Sequence, residues 1–423
     1  MPSSVRENHL KFLADLQSSS EWRDPKPITL KLFEYCRTND WSGYDPYDAL
    51  NSPLLQALPI LNSRFPRIAL TQLLKRSPLD IRPLLRIPKT QNPKALGLFL
   101  ISILKLSRLG LLDESNLARQ IIEQLVAVRS PQTMYWCWGY SFPWQTRTIV
   151  VPRFAPSLVC TTFVAEALLD AYEQFNDLQL LEMATSAGQY ILAELYYSGE
   201  DGLASFSYPL PGLETKVHNA SFLAAALLCR LFHHTGDEKL LEPALRAARY
   251  SASKQRGDGS WPYGELPTQQ WVDNFHTGYN LSALRRIGLF ARTNEFDDSI
   301  KSGFEFYRAH FFRDDGAARY FHDRTYPIDI HCVAQSILTL LEFQDLNPAN
   351  VSLAGSVYEW TMSHMYDERG FFYYRVLPYC AIRTSYMRWS QAWMLLALTT
   401  FTEQLSGAAA ITKQWETREQ VSA

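Results

Sequence analysis

Between Asp273 and Asn280 the chain reads DNFHTGYN. Asp273, His276 and Asn280 stand at i, i+3 and i+7, which places them on one face of a helix. A histidine next to a carboxylate can take up or deliver a proton near neutral pH. Asp273 would orient that imidazole or act as acid or base itself, and Tyr279 adds a phenolic donor. His331 occupies the matching place one unit further on and competes for the same role. Glu265, just upstream, is a second carboxylate. Glu265 or Asp273 with Asp45 or Asp48 would supply the two carboxyl groups that glycoside hydrolysis requires. The fork of Arg388 suits a carboxylate or a phosphate. His218, Asn219, Asn274 and Asn280 are polar candidates for binding. Tyr263 and Tyr386 offer further hydroxyls, and Trp261 and Trp389 offer faces for stacking.

Each of these residues also has a purely architectural reading. Asp273, Asp45 and Asp48 would serve as helix caps or first-turn acids. His276 and His331 would be hydrogen-bonded core histidines, and Arg388 the partner of a carboxylate on the inner ring. The aromatic segments would fill space between hairpins. Glu166, in the middle of TTFVAEALL, reads as the buried partner of a pore residue.

The elements that must position these groups are almost all helical. One set of segments is apolar around most of its circumference, among them NPKALGLFLISILKL, PSLVCTTFVAEALLDAY, VHNASFLAAALLCRLF and DIHCVAQSILTLLEF. Helices of that kind must be buried on all sides. A second set, including ESNLARQIIEQLVAV and EKLLEPALRAARYSASKQ, has one apolar stripe and one wet face. The two sets alternate with a period of roughly 55–60 residues, the mark of an internal repeat. Two concentric rings of helices satisfy such a list, so the expected fold is all-α: an α/α toroid of six or seven helical hairpins. An earlier unit, YDPYDALNSPLLQAL with RFPRIALTQLLKR, is expected to join the series. Segments 1–40, 41–406 and 407–423 read as an N-terminal helical segment packing on the toroid, the toroid itself, and a flexible tail. Short aromatic, β-like loops such as GDGSWPYGE and RGFFYYRVLPY should crowd one end of the ring. The polar stripes that open the inner helices would then converge there on one concave site.

The 423 residues are 47% hydrophobic and 20% charged, with a formal net charge of −2. That balance supplies a core and argues against a broad nucleic-acid-binding or anionic-membrane surface, while leaving room for a local basic patch. The first residues lack an apolar signal region, no window reaches the length of a membrane span, and the six cysteines form no CxxC pair. A cytoplasmic protein is expected, with no metal and no cofactor. Walker, GxGxxG, HExxH and GxSxG motifs are missing.

The stretch KQRGDGSWPYG, Lys254 to Gly264, resembles the Q…GxW turn of the prenyltransferase and squalene-cyclase repeat. The alternating plan resembles the six-hairpin glycosidase-like superfamily, which includes N-acylglucosamine epimerases and toroid polysaccharide lyases. With WSGYDPYDALNSP near the start and RWSQAWM near the end, the whole string resembles toroid proteins associated with bacterial exopolysaccharide biosynthesis. These resemblances imply a saccharide, or a lipid- or nucleotide-linked glycan, in the central cavity, and polysaccharide-assembly proteins as partners. They imply lyase, epimerase or hydrolase chemistry, with Asn274 or Asn219, His276, Tyr279 and Arg388 in the parts played in toroid lyases. A non-catalytic glycan-binding scaffold is the alternative. An isoprenoid enzyme is disfavoured, because FDDSIKS and RDDGAAR lack the further aspartate of a diphosphate-magnesium motif. Fold alone does not choose among these.

Overall fold

The structure, a computed structural model, describes residues 22–57, 59–112 and 115–422. Most of the N-terminal segment 1–40 therefore lies outside the described residues; its described part holds α1 (Pro25–Thr38). After several single turns comes α2 (Arg64–Arg76). The chain then runs through α3 (Pro93–Arg108), α4 (Ser115–Ala127), α5 (Leu158–Phe175), α6 (Leu178–Tyr190), α7 (His218–Thr235) and α8 (Leu241–Ala252). It continues with α9 (Asn274–Ala291), α10 (Asp297–His310), α11 (Ile330–Glu342), α12 (Ala349–His364) and α13 (Ala392–Ser422).

The odd-numbered helices from α3 to α13 form the inner ring, each packed on the next, and α13 returns to lie against α3. The ring is closed. Outside it α4, α6, α8, α10 and α12 each cover the inner helix that precedes them in the chain, and α1 covers α13. Among the described residues this gives six hairpins, the last one made from the two ends of the described chain. Thr29 and Thr402 share a 3.2 Å hydrogen bond across that joint.

Local sequence explains both the starts and the stops. Asn92, Ser157, Asp273 and Asp329 cap α3, α5, α9 and α11 by accepting from backbone N–H groups of the first turn. Asn176, Gly236 and Arg292 end α5, α7 and α9 in the left-handed region. The turns from outer to inner helices repeat one device. Gly259, Gly316 and Gly370 have φ of +89°, +88° and +95°. An added Cβ at each would meet the next outer helix: the Ser302 carbonyl on α10, the Ser356 carbonyl on α12, and Lys31 on α1. That third contact identifies α1 as the outer helix following α12. In the Q…GxW turn, Gln255 Nε2 donates to the carbonyls of Gly259 and Ser299, and Trp261 Nε1 donates to Ser251 O. The motif bolts α8 to α10, the architectural role expected of it.

Strands among the described residues are two or three residues long; Ser42–Gly43 pairs with Thr90–Gln91, and most of the others lie in or beside the aromatic loops. Tyr196–Ser198 pairs with Ala204–Phe206, Tyr366–Asp367 with Phe371–Phe372, and Arg375–Val376 runs between Ile328–Asp329 and Ala381–Ile382. No helix among the described residues is long and apolar enough to cross a membrane.

One expectation is overturned. The 44–76 region does not add a hairpin to the ring. It forms a 3-10 turn (Asp48–Asn51), a single α-turn (Pro53–Gln56) and α2, which lie over the end where the inner helices begin. Its own small core of Ala49, Leu74 and Ile87 is separate from that of the ring. The pattern misleads because α2 is amphipathic like an outer helix, yet no all-round apolar helix precedes it.

Candidate functional site

The expected open bowl at the inner-helix starts is filled. The 41–92 segment enters it, tied to the ring by one buried ion pair and braced within itself by another. Asp45 receives Arg388 Nε and Nη2 at 2.6 and 2.9 Å, and Asp48 receives Arg82 Nε at 2.9 Å. All four side chains are buried. Burial raises the Asp48 carboxyl to about 6 against the opposing pull of Arg82. Arg388 therefore pairs with a carboxylate, as its architectural reading held, although that carboxylate comes from the covering segment. It also lies over the Tyr140 ring. Lys75 of α2 reaches in as well and donates to Tyr47 Oη at 2.6 Å.

Below this plug lies a waist of rings. Tyr279 Oη is 2.6 Å from His331 Nε2, and His331 is stacked on Trp393 and Phe275, with Trp389 edge-on. Burial, aided by Lys94 and Arg388, holds His331 well below the usual histidine range. The imidazole is therefore neutral, with a proton on only one of its two ring nitrogens. Lys94 Nζ sits 3.9 Å from the Phe163 ring centroid with Tyr279 and Trp393 nearby, and burial pushes its pKa well down. Trp389 Nε1 donates to Asp329 Oδ1, whose other oxygen takes Arg375 Nε at 2.5 Å.

Two hollows flank the waist. The smaller, at the inner-helix starts, is lined by Asn219, Trp261, Pro262, Tyr263, Trp271, Asp273, His276, Thr277 and Asn280. It is too narrow as it stands for a water molecule. Asp273 Oδ2 accepts from His276 Nδ1 at 2.7 Å and from Trp271 Nε1 at 3.0 Å, while Oδ1 accepts the His276 backbone N–H. Asp273 thus caps α9 and hydrogen-bonds the His276 ring at the same time. The His276 side chain keeps 20% of its surface exposed. Tyr263 and Trp271 lie face to face, 4.6 Å apart, and form one wall. Asn219 Oδ1 and Asn280 Oδ1 are buried without a hydrogen-bond partner in the protein, as is Nε2 of the neighbouring His218. Burial lowers His218 to about 4.

The larger hollow, about 690 Å³, opens at the opposite end, among the last turns of the inner helices. Phe163, Tyr279 and Trp393 close it towards the waist, with Leu98, Leu223, Leu338 and Leu396 among its walls. At its rim Arg230 binds Glu166, Asp170 and Glu173 at 2.5, 2.6 and 2.8 Å. Lys105 pairs there with Glu403. Glu166 is thus the buried partner of a pore residue that the sequence suggested.

The remaining candidates lie apart. Glu265 accepts from Tyr250 of α8 at 2.6 Å and lines neither hollow described. Asn274 is fully buried, tied to Tyr307 and Ser336 between α9, α10 and α11. Tyr386 is buried against Arg82 and Tyr374. Trp261, by contrast, lines the smaller hollow while packing against α10, where a Cβ on Gly303 would strike the indole. Trp271, Lys94 and the Arg230 cluster were missed from sequence. Trp271 was findable, since it stands two residues before Asp273 in an extended segment and so projects to the same side. Among the described residues no group of three or more His, Cys, Asp or Glu converges as a metal site would require.

No protein-family model matches the chain, and no curated protein is similar to it. Solved structures share its fold. The cellobiose 2-epimerase of Bacillus thermoamylovorans B4167 superposes with a TM-score of 0.59 at 12% identity, covering 75% of this chain and 90% of that one. An unsaturated glucuronyl hydrolase specific for heparin gives 0.58 at 12%, covering 90% and 96%. The GH76 alpha-mannanase of Bacteroides thetaiotaomicron gives 0.56 at 13%, covering 74% and 85%. The chain shares the α/α-toroid fold of these structures.

Proposed function

We propose that the protein is a saccharide-modifying enzyme whose proton-transfer group is His276, oriented by Asp273. The observation that carries this reading is the content of the small hollow. An Asp–His pair, two amide oxygens without partners and an aromatic wall face the same space. Buried acceptors without partners are costly and call for donors, which the hydroxyls of a sugar supply. The stacked Tyr263 and Trp271 rings offer an apolar face for a pyranose ring. Saccharide enzymes among the fold neighbours agree with that substrate class.

Histidine chemistry is favoured over a two-carboxylate hydrolysis. Asp45 and Asp48 are neutralised by buried arginines, and Glu265 is engaged by Tyr250. His276, with Nδ1 bonded to Asp273, has Nε2 left to remove a ring proton next to a carbonyl or carboxylate, and Asp273 stabilises the imidazolium formed. Returning that proton to the other face gives an epimer; expelling the substituent one carbon further on gives an unsaturated sugar. Entry requires Tyr263 and Trp271, on the loop before α9, to move apart. Action on a lipid- or nucleotide-linked glycan in polysaccharide biosynthesis, beside assembly proteins, belongs to the same proposal.

The size of the larger hollow favours one other reading, a non-catalytic protein that holds a glycan there. The test is incubation of the purified protein in deuterium oxide with uronate-containing and neutral oligosaccharides. Deuterium at a ring carbon, or an absorbing unsaturated product, lost in His276→Ala, supports the enzyme. Turnover that His276→Ala leaves intact, or tight binding without turnover that a bulky substitution at Ala226, in the wall of the larger hollow, abolishes, overturns it.

A further inference from the structure

The segment that covers the inner-helix starts is built the wrong way round for a protein facing only water. Helix α2 turns Lys75 inward, 8% exposed, beside Thr71 and Leu74. Outward it presents Phe65, Ala69 and Leu73 at i, i+4 and i+8, one face of the helix. Phe65 is 71% and Leu73 62% exposed, and Leu79 and Leu84 in the following loop are 72% and 79% exposed. Met134, Leu266 and Tyr379, in the outer-to-inner connections at this same end of the ring, are exposed too. Isolated apolar side chains on a surface need no explanation, but a cluster along one helix face and its adjoining loop does.

Charge says what covers it. Between residues 53 and 89 there are seven basic residues against Asp80 alone, in a chain whose formal net charge is −2. Lys75 and Arg82 are buried. Arg64, Arg67, Arg76, Arg86 and Lys89 have no ion-pair partner among the described residues, although ion pairs are frequent elsewhere on the molecule. Arg64 lies over the Phe65 ring, Lys89 over Tyr44, and Arg67 is half-buried. Apolar side chains that would enter an acyl layer, flanked by cations without carboxylate partners that would meet phosphate, form the signature of a helix lying in an anionic membrane interface.

We propose that residues 64–89 dock the protein, without spanning, onto an anionic lipid surface, with α2 lying in the interface. The inference is independent of the reaction proposed above. It would give the enzyme access to a saccharide held at a membrane, and it stands or falls on lipid binding alone.

The test is co-sedimentation of the full chain with phosphatidylcholine vesicles, with and without about one-third phosphatidylglycerol. Binding is expected only to the anionic vesicles and should weaken with added salt. Arg64→Glu with Arg76→Glu should reduce it more than about tenfold, given roughly fivefold per cation removed. Phe65→Ser with Leu73→Ser should reduce it comparably, with unchanged melting temperature because both sites are exposed. Absence of binding to anionic vesicles, equal binding to neutral ones, or binding that both double variants retain would overturn the proposal. So would a stable dimer in solution that Phe65→Ser with Leu73→Ser dissociates, since a second copy would then be the occupant of this face.

Discussion

His276, His218 and His331 carry the same side chain and differ in what surrounds it. His276 has a carboxylate on Nδ1 and solvent on part of its ring. His276→Ala should lower turnover by about 10²–10⁴-fold, the usual loss for a general acid–base group, with little change in KM. His218 and His331 are buried and held neutral. For His218 the sign is fixed by burial: a folded-state value near 4, below the ordinary histidine value, means that the unfolded chain binds the proton more readily. The stability from keeping it neutral is complete above the ordinary histidine pKa and is lost as pH falls through about 4. Between these limits the stability of wild type should fall more steeply with decreasing pH than that of His218→Gln, by up to about 3 kcal/mol across the range, measured by urea denaturation at a series of pH values. Spacing revealed the Asp273–His276 pair because both lie within one helical turn. It could not reveal that Asp45 pairs with Arg388, since 343 positions separate them and only the closed ring brings them together.

At the scale of elements, the covering segment is attached to the ring through charge. Arg388→Met should cost about 3–5 kcal/mol, because Asp45 is left charged, buried and alone. Adding Asp45→Leu should recover much of that loss, since removing both charges removes the unpaired one. A double-mutant cycle by urea denaturation measures the coupling. Gly259→Ala should destabilise by at least about 2 kcal/mol, because its backbone is left-handed and its Cβ would strike the Ser302 carbonyl. The repeat of inner and outer helices was legible, as was the turn motif, because both leave periodic marks. The covering segment was misread as a hairpin because α2 has a helical period and an apolar face. Only its burial reveals that this face points outward.

At the scale of the molecule, α1 serves as the outer helix of the last hairpin, so the fold depends on the two ends of the described chain meeting. Removing residues 22–38 should leave the apolar flank of α13 bare and abolish cooperative unfolding, with aggregation on expression, while circular dichroism still reports helix. Closure of the ring could be argued from sequence, but the end at which it opens could not. Cavity position depends on how side chains from six inner helices fill a shared volume, and a one-dimensional pattern does not encode that sum. Loops and polar stripes marked the inner-helix starts as the open mouth, yet the larger hollow lies at the opposite end.

The contact of Tyr279 with His331, wedged among Phe163, Phe275, Trp389 and Trp393, divides the bore of the ring into two blind ends. A polymer cannot thread through such a bore. On the reaction proposed above, a glycan chain would have to enter from one side, by a terminus or a branch.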